Sequence, residues 1–232
     1  MSSGADIAEN VKRVRAAIAE AAVRSGRAPG DIALVAAGKT QAPGSILQAI
    51  AAGVDAVGEN RVQEMIEKHE QGAYQGAPLH FIGHLQSNKA ARIVGVCDLI
   101  ESVGSPALVG MIGKKAKSLG IVQKVLIEVN IGREPQKSGV LPEDITQILE
   151  LASRTEGINV LGLMAIPPIY ETIERNCYYF DAIFQLYVDI REKKYDNVSM
   201  QLLSMGMSDS YAEAILAGSN MVRIGAAIFG SR

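Results

Sequence analysis

Ile32-Ala33-Leu34-Val35-Ala36-Ala37-Gly38-Lys39-Thr40 is the stretch whose reading decides the fold. Six apolar residues in a row read as a short strand buried on both faces, and such strands belong to parallel sheets. The run stops at Gly38-Lys39-Thr40. In a parallel α/β architecture the carboxyl end of a strand carries its side chains to the mouth of the fold. A lysine there has two readings. On one, its stem lies along apolar surface and its ammonium reaches solvent. On the other, apolar walls and neighbouring cations favour the neutral amine, the form that attacks carbonyls, and Lys39 is a Schiff-base lysine.

Similar runs follow at 56–58, 80–83, 99–102, 124–130, 160–165, 200–204 and 222–225, making eight with the first at 32–38. Between them lie amphipathic stretches whose helices are expected to start near Ser45, Arg61, Ser87, Ser105, Glu143, Arg175 and Ser208. Strand and helix alternating eight times close most economically into a (β/α)₈ barrel. A doubly wound open sheet is the alternative, weakened because no Gly-rich dinucleotide fingerprint follows the first strand. Ahead of the barrel, Ile7, Val11, Val14, Ile18 and Ala22 recur at helical spacing, so 6–26 reads as an extra N-terminal helix ended by Gly26. No composition break divides the 232 residues, and 1–232 is expected to be one domain.

Composition narrows the function. Apolar residues make up 48% and charged residues 21%, which supports a large core and argues against disorder. The net charge is −2, Trp is absent, and Lys114, Lys115 and Lys117 share one helix as a solvated face, so nucleic-acid binding is not expected. Two cysteines and three histidines, without metal-ligand spacing, suggest neither a disulfide scaffold nor a metal site. With no apolar leader and no membrane span in sight, a reducing cytoplasmic setting is expected. No leftover apolar stripe is visible, which points to a monomer.

Reading the strand ends in order gives Lys39, Glu59-Asn60, Gly83-His84, Glu101-Ser102, Glu128 and Asn130, Met164, Ser204 and Arg223. Any one of these has an ordinary explanation; Asn60, for instance, is placed to cap the next helix. Together, polar groups at the ends of apolar runs suggest a ligand pocket. Ser204-Met205-Gly206-Met207-Ser208 and Arg223-Ile224-Gly225-Ala226-Ala227 follow the seventh and eighth strands, the usual phosphate position of a barrel, where glycine lets backbone amides approach an anion. Arg223 is placed to clamp that phosphate or to face a ring nitrogen. A guanidinium cannot accept a proton, so a pyridine nitrogen against it stays unprotonated and the ring is a weaker electron sink.

The chain resembles the pyridoxal phosphate homeostasis protein family. The resemblance is carried by Leu34 to Thr40, Gly58-Glu59-Asn60-Arg61-Val62-Gln63-Glu64, His80 to Lys89, Glu128-Val129-Asn130-Ile131, Lys137-Ser138-Gly139, Gly162-Leu163-Met164, and the two glycine loops after Leu203 and Met221. It implies a single barrel like the N-terminal domain of alanine racemase. It also implies pyridoxal 5'-phosphate (PLP) held as an internal aldimine on Lys39, its phosphate at Ser204, Gly206 and Gly225, Arg223 facing the pyridine nitrogen, and Asn60 and Met164 lining the cofactor. The implied role is balance of PLP with amino-acid and keto-acid pools, without defined turnover, and with PLP-accepting apo-enzymes as partners. Three positions depart from the family pattern: Ala226 stands for a hydroxyl residue that bonds the phosphate, Gly38 for a serine, and Ser210 for an aspartate.

Three functions remain open on sequence. A PLP carrier fits a short chain, expected to hold no second domain over the pocket. A PLP enzyme of low activity would use Lys39 with a tyrosine such as Tyr170 or Tyr211. A sugar-phosphate barrel enzyme would use Lys39 as a Schiff-base amine with Glu59 or Glu101 as acid. Lys137 is either a surface loop lysine or a second contact for the aldehyde.

Overall fold

The computed structural model describes residues 6–168 and 173–230. Eight parallel strands close into a barrel in sequence order: β1 (Ala33–Ala37), β2 (Ala56–Glu59), β3 (Leu79–Phe81), β4 (Leu99–Val103), β5 (Gln123–Val129), β6 (Ile158–Ala165), β7 (Val198–Ser204) and β8 (Met221–Ile224). The helices are α1 (Ile7–Arg24), α2 (Pro43–Ala51), α3 (Val62–Glu70), α4 (Ser87–Ala90), α5 (Pro106–Ser118), α6 (Ile145–Ser153), α7 (Ile173–Arg191), α8 (Tyr211–Leu216) and α9 (Ala226–Phe229). This is the expected barrel, and the open sheet is set aside by the pairing of β8 with β1.

β1 and β8 place apolar residues on both of their faces. Leu34 and Ala36 of β1, and Val222 and Ile224 of β8, face the helices, while Val35 and Met221 meet Ala56, Leu99, Leu126 and Met164 inside the barrel. Both faces are therefore buried, which is why the strands read as unbroken apolar runs.

The N-terminal helix belongs to the barrel wall. Asp6 caps it by accepting from the Glu9 N–H at 3.1 Å. Its buried stripe Ile7, Val11, Val14 and Ile18 packs on β1 and β8, with Ala49 and Val54 on one side and Ile215 and Ile228 on the other. The helix after β8 is only one turn, so α1 covers the ground of an eighth helix. Each of those four large side chains contributes about 1.5–3 kcal/mol relative to exposure. Among the described residues, no helix is long and apolar enough to cross a membrane.

Helix starts shift from the expected positions where turns intervene. The helix placed at Ser208 begins at Tyr211, because Ser210 first closes a turn by accepting the Met207 N–H at 3.2 Å. The one placed at Glu143 begins at Ile145, after a 3₁₀ turn at Pro142–Asp144. Pro167 and Pro168 are described, but Tyr170 lies outside the described residues.

Candidate functional site

Barrel register brings Lys39 and the β8 loop together. Ala36 pairs with Ile224, so the chain beyond β1 runs beside the chain beyond β8. Lys39 is exposed and lines a cavity of about 360 Å³ with Arg223, Gly225, Ala226, Ser208 and Met207. The β7 and β8 loops are tied to each other: the Arg223 N–H donates to the Gly206 carbonyl at 3.1 Å, and the Ala227 N–H points at Ser208 Oγ at 3.4 Å. As the first residues of α9, Ala226 and Ala227 present N–H groups that have no intrahelical acceptor. Gly206 sits at φ +95°, and a Cβ there would lie 2.7 Å from that of Ala214, so only glycine fits.

Arg223 is the hub of a buried polar layer above the apolar plug. It is 4% exposed. Its Nη1 donates to Ser204 Oγ at 2.5 Å and its Nη2 to the Ala165 carbonyl at 3.0 Å. Ser204 Oγ donates in turn to Glu101 Oε2 at 2.6 Å, and His80 Nδ1 lies 2.8 Å from Glu101 Oε1. Burial pushes the Glu101 carboxyl up, but the His80 contact, the Arg223 charge and the Ser204 hydroxyl outweigh it and hold the carboxyl below its ordinary range. Burial likewise lowers the Arg223 guanidinium, against the pull of Glu101 and Glu128.

The other expected site residues fall around this centre. Met164 is fully buried in the barrel plug. Ser204 is fully buried too, its hydroxyl taken up by Glu101 and Arg223, so it meets the cavity through Arg223. Gly206 and Arg223 line a small adjoining pocket of about 50 Å³ with Ser210 and Pro168. Asn60 does not cap α3, whose N-cap is Arg61; its Oδ1 is buried and without a hydrogen-bond partner. Lys137 pairs with Glu134 at 2.5 Å and lines a separate cavity with His84, Glu128 and Asn130.

Sequence reasoning missed Lys68 and Glu64. On α3 the buried positions are Val62, Met65 and Lys68, so a lysine occupies the apolar stripe, and that was the readable signal. It also missed the pairing of His80 with Glu101, which joins inward-facing positions of neighbouring strands.

The alanine racemase N-terminal domain model matches residues 5–232. A pyridoxal phosphate homeostasis protein of Aquifex aeolicus is 40% identical over 224 residues, covering 97% of each chain. The protein belongs to the pyridoxal phosphate homeostasis protein family. A second member, from Escherichia coli, is 36% identical and covers 98% of this chain and 97% of its own. Among solved structures, PipY of Synechococcus elongatus with PLP bound superposes with a TM-score of 0.83 at 30% identity, covering 97% of this chain and all of that one. The family thus accounts for the barrel fold.

Proposed function

We propose that this protein binds PLP at the β1–β8 side of the barrel mouth, holds it through Lys39, and serves PLP homeostasis as a carrier. The observation that carries the reading is one cavity in which an exposed amine, a buried guanidinium and the backbone of Gly225 and Ala226 at a loop-to-helix turn converge. The names of the relatives and the PLP in PipY point the same way. When bound, PLP supplies an electrophilic aldehyde and a ring that withdraws electrons.

In this reading the amine of Lys39 condenses with the aldehyde and water leaves. The backbone around Gly206, Gly225 and Ala226 takes the phosphate, with Ser204 acting through Arg223. Arg223, locked by Ser204 and Ala165, faces the ring nitrogen and keeps it unprotonated. Asn60, with its orphaned Oδ1, and Met164, beneath the mouth, are assigned to the cofactor's surroundings. An unprotonated ring disfavours carbanion chemistry, so slow exchange of PLP or amino acids with acceptor apo-enzymes is favoured over turnover.

The enzymatic alternatives find less support. Tyr211 packs beside α1, and among the described residues no tyrosine lines the Lys39 cavity; Tyr170 lies outside them. Glu59 is engaged by Lys68 and Tyr74, and Glu101 by His80 and Ser204, so neither carboxylate stands ready as an acid for a sugar phosphate.

The test is an absorbance titration with PLP of the wild type beside Lys39→Ala. A saturable Schiff-base band in the wild type, lost in the mutant, supports the reading. An equal band in both, or none in either, overturns it.

A further inference from the structure

The turn that carries Lys39 is held on both sides by side chains of α3. Lys68 Nζ donates to the Gly38 carbonyl at 2.7 Å, to Glu59 Oε1 at 2.8 Å and to Glu64 Oε1 at 2.7 Å. The same Glu64 oxygen accepts the Thr40 N–H at 2.5 Å. Tyr74 donates its hydroxyl to Glu59 Oε1 at 3.1 Å and fixes that carboxylate from behind. Lys39 therefore sits between two peptide groups that are each tied to the Glu64–Lys68 pair, one turn apart on a single helix.

The geometry of the turn calls for such a tie. Thr40 is at φ +64°, a left-handed conformation that residues with a Cβ adopt at a cost. Lys39 lies beyond the last residue of β1, so no ladder bond of that strand fixes it. Lys68 is 6% exposed and does not line the Lys39 cavity, so the aldehyde cannot reach it as a second amine.

We propose that Glu64 and Lys68 are positioning residues for Lys39: they clamp Gly38 and Thr40 so that the Lys39 amine is presented to an aldehyde in the cavity without further ordering of the chain. The proposal rests on the reading of Lys39 given above. The amine nitrogen attacks the aldehyde carbon, a C=N bond replaces C=O, and the oxygen leaves as water with both amine protons, so no oxidant or other reactant is needed. Without the clamp the turn keeps its backbone bond from the Gln41 N–H to the Gly38 carbonyl at 3.0 Å but loses the ties at Thr40 and Lys68, and the remaining ordering cost falls on the covalent step. It does not fall on recognition of the ring and phosphate, which involves other loops.

The experiment compares two ligands. PLP reports on covalent capture, by absorbance and by borohydride trapping. Pyridoxine 5'-phosphate, with an alcohol in place of the aldehyde, reports on recognition alone. Glu64 is only partly buried, so Glu64→Ala frees the Thr40 N–H without emptying the core. Its covalent capture is expected to fall about tenfold while pyridoxine 5'-phosphate binding stays within about twofold. Glu64→Gln, which keeps an acceptor for Thr40, is expected to recover most of the loss. A double variant, Glu59→Gln with Lys68→Met, removes the buried charges together and is expected to behave as Glu64→Ala does. Undiminished capture in Glu64→Ala, or parallel loss of both ligands, overturns the clamp. If wild-type capture survives Lys39→Ala, the underlying reading fails and the clamp falls with it.

Discussion

Arg223 reaches Ser204 across the β7–β8 pair, Nη1 to Oγ at 2.5 Å, and Ser204 passes the contact on to Glu101 at 2.6 Å. One hydroxyl thus separates a buried cation from a buried anion whose direct approach is 3.8 Å. Its removal leaves two charged groups short of a partner in a site without exposed surface. Ser204→Ala is expected to lose about 1–3 kcal/mol of stability. Because Arg223 loses the hydroxyl that holds its Nη1, its orientation is less fixed and PLP affinity falls as well. Thermal unfolding and a PLP titration of the same variant check both parts; an unchanged melting temperature counts against the bridging role.

Ala226 offers a gain rather than a loss. It is exposed, begins α9 and lines the Lys39 cavity. A threonine there has room for its side chain and adds one donor to the start of α9. Ala226→Thr is expected to tighten PLP by about 1 kcal/mol, close to fivefold in Kd. Equilibrium titration decides it, and no tightening means that the phosphate does not meet this position.

The barrel was legible because burial on both faces writes itself into sequence as continuous apolar runs, and the meeting of Lys39, Arg223 and Gly225 at one cavity was legible because a barrel gathers its strand ends. Three things were hidden. The place of α1 in the wall depends on β8 closing onto β1, a contact between the two ends of the chain. β3 spans only Leu79–Phe81, and His80 at its centre pairs with Glu101 rather than with the apolar plug. The Lys68 clamp joins residues 30 apart; its one mark in the sequence is a lysine in the apolar stripe of a short helix, where a lysine ordinarily reads as solvated. Polar residues that face other polar residues inside a barrel leave no periodic mark.

Gly38 tests how tightly the clamp is packed. A Cβ at this position would lie 3.0 Å from Glu59 Oε1 and 3.3 Å from both Ile46 and Val57. Glu59 Oε2 is buried without a hydrogen-bond partner. Gly38→Ala crowds the carboxylate and gives it nothing in return, whereas Gly38→Ser brings a donor hydroxyl against the same carboxylate. The serine variant is expected to be more stable than the alanine variant by about 1 kcal/mol. Denaturant unfolding of the two side by side reads the difference; equal stabilities mean that the hydroxyl does not reach Glu59.

Glu128 gives the pH dependence its sign. It is 6% exposed; its Oε1 accepts from Ser138 at 2.8 Å, and its Oε2 is buried without a hydrogen-bond partner. Burial pushes its carboxyl above the ordinary range, and the Ser138 hydroxyl, His84 and Arg223 recover only part of the shift. A carboxyl raised in the folded state binds its proton more tightly there than in the unfolded chain. Its contribution to stability is complete below the unfolded value and is lost as pH rises through the folded value. Glu128→Gln has the same shape, keeps an acceptor for Ser138 and carries no charge at any pH. The difference in melting temperature between Glu128→Gln and wild type is therefore expected to be flat in acid and to grow in favour of the glutamine as pH rises from the ordinary glutamate range through the raised one. Titrations common to both proteins cancel in that difference. Parallel curves across the window mean that Glu128 does not titrate differently in the folded chain, and a difference that grows toward acid reverses the assignment.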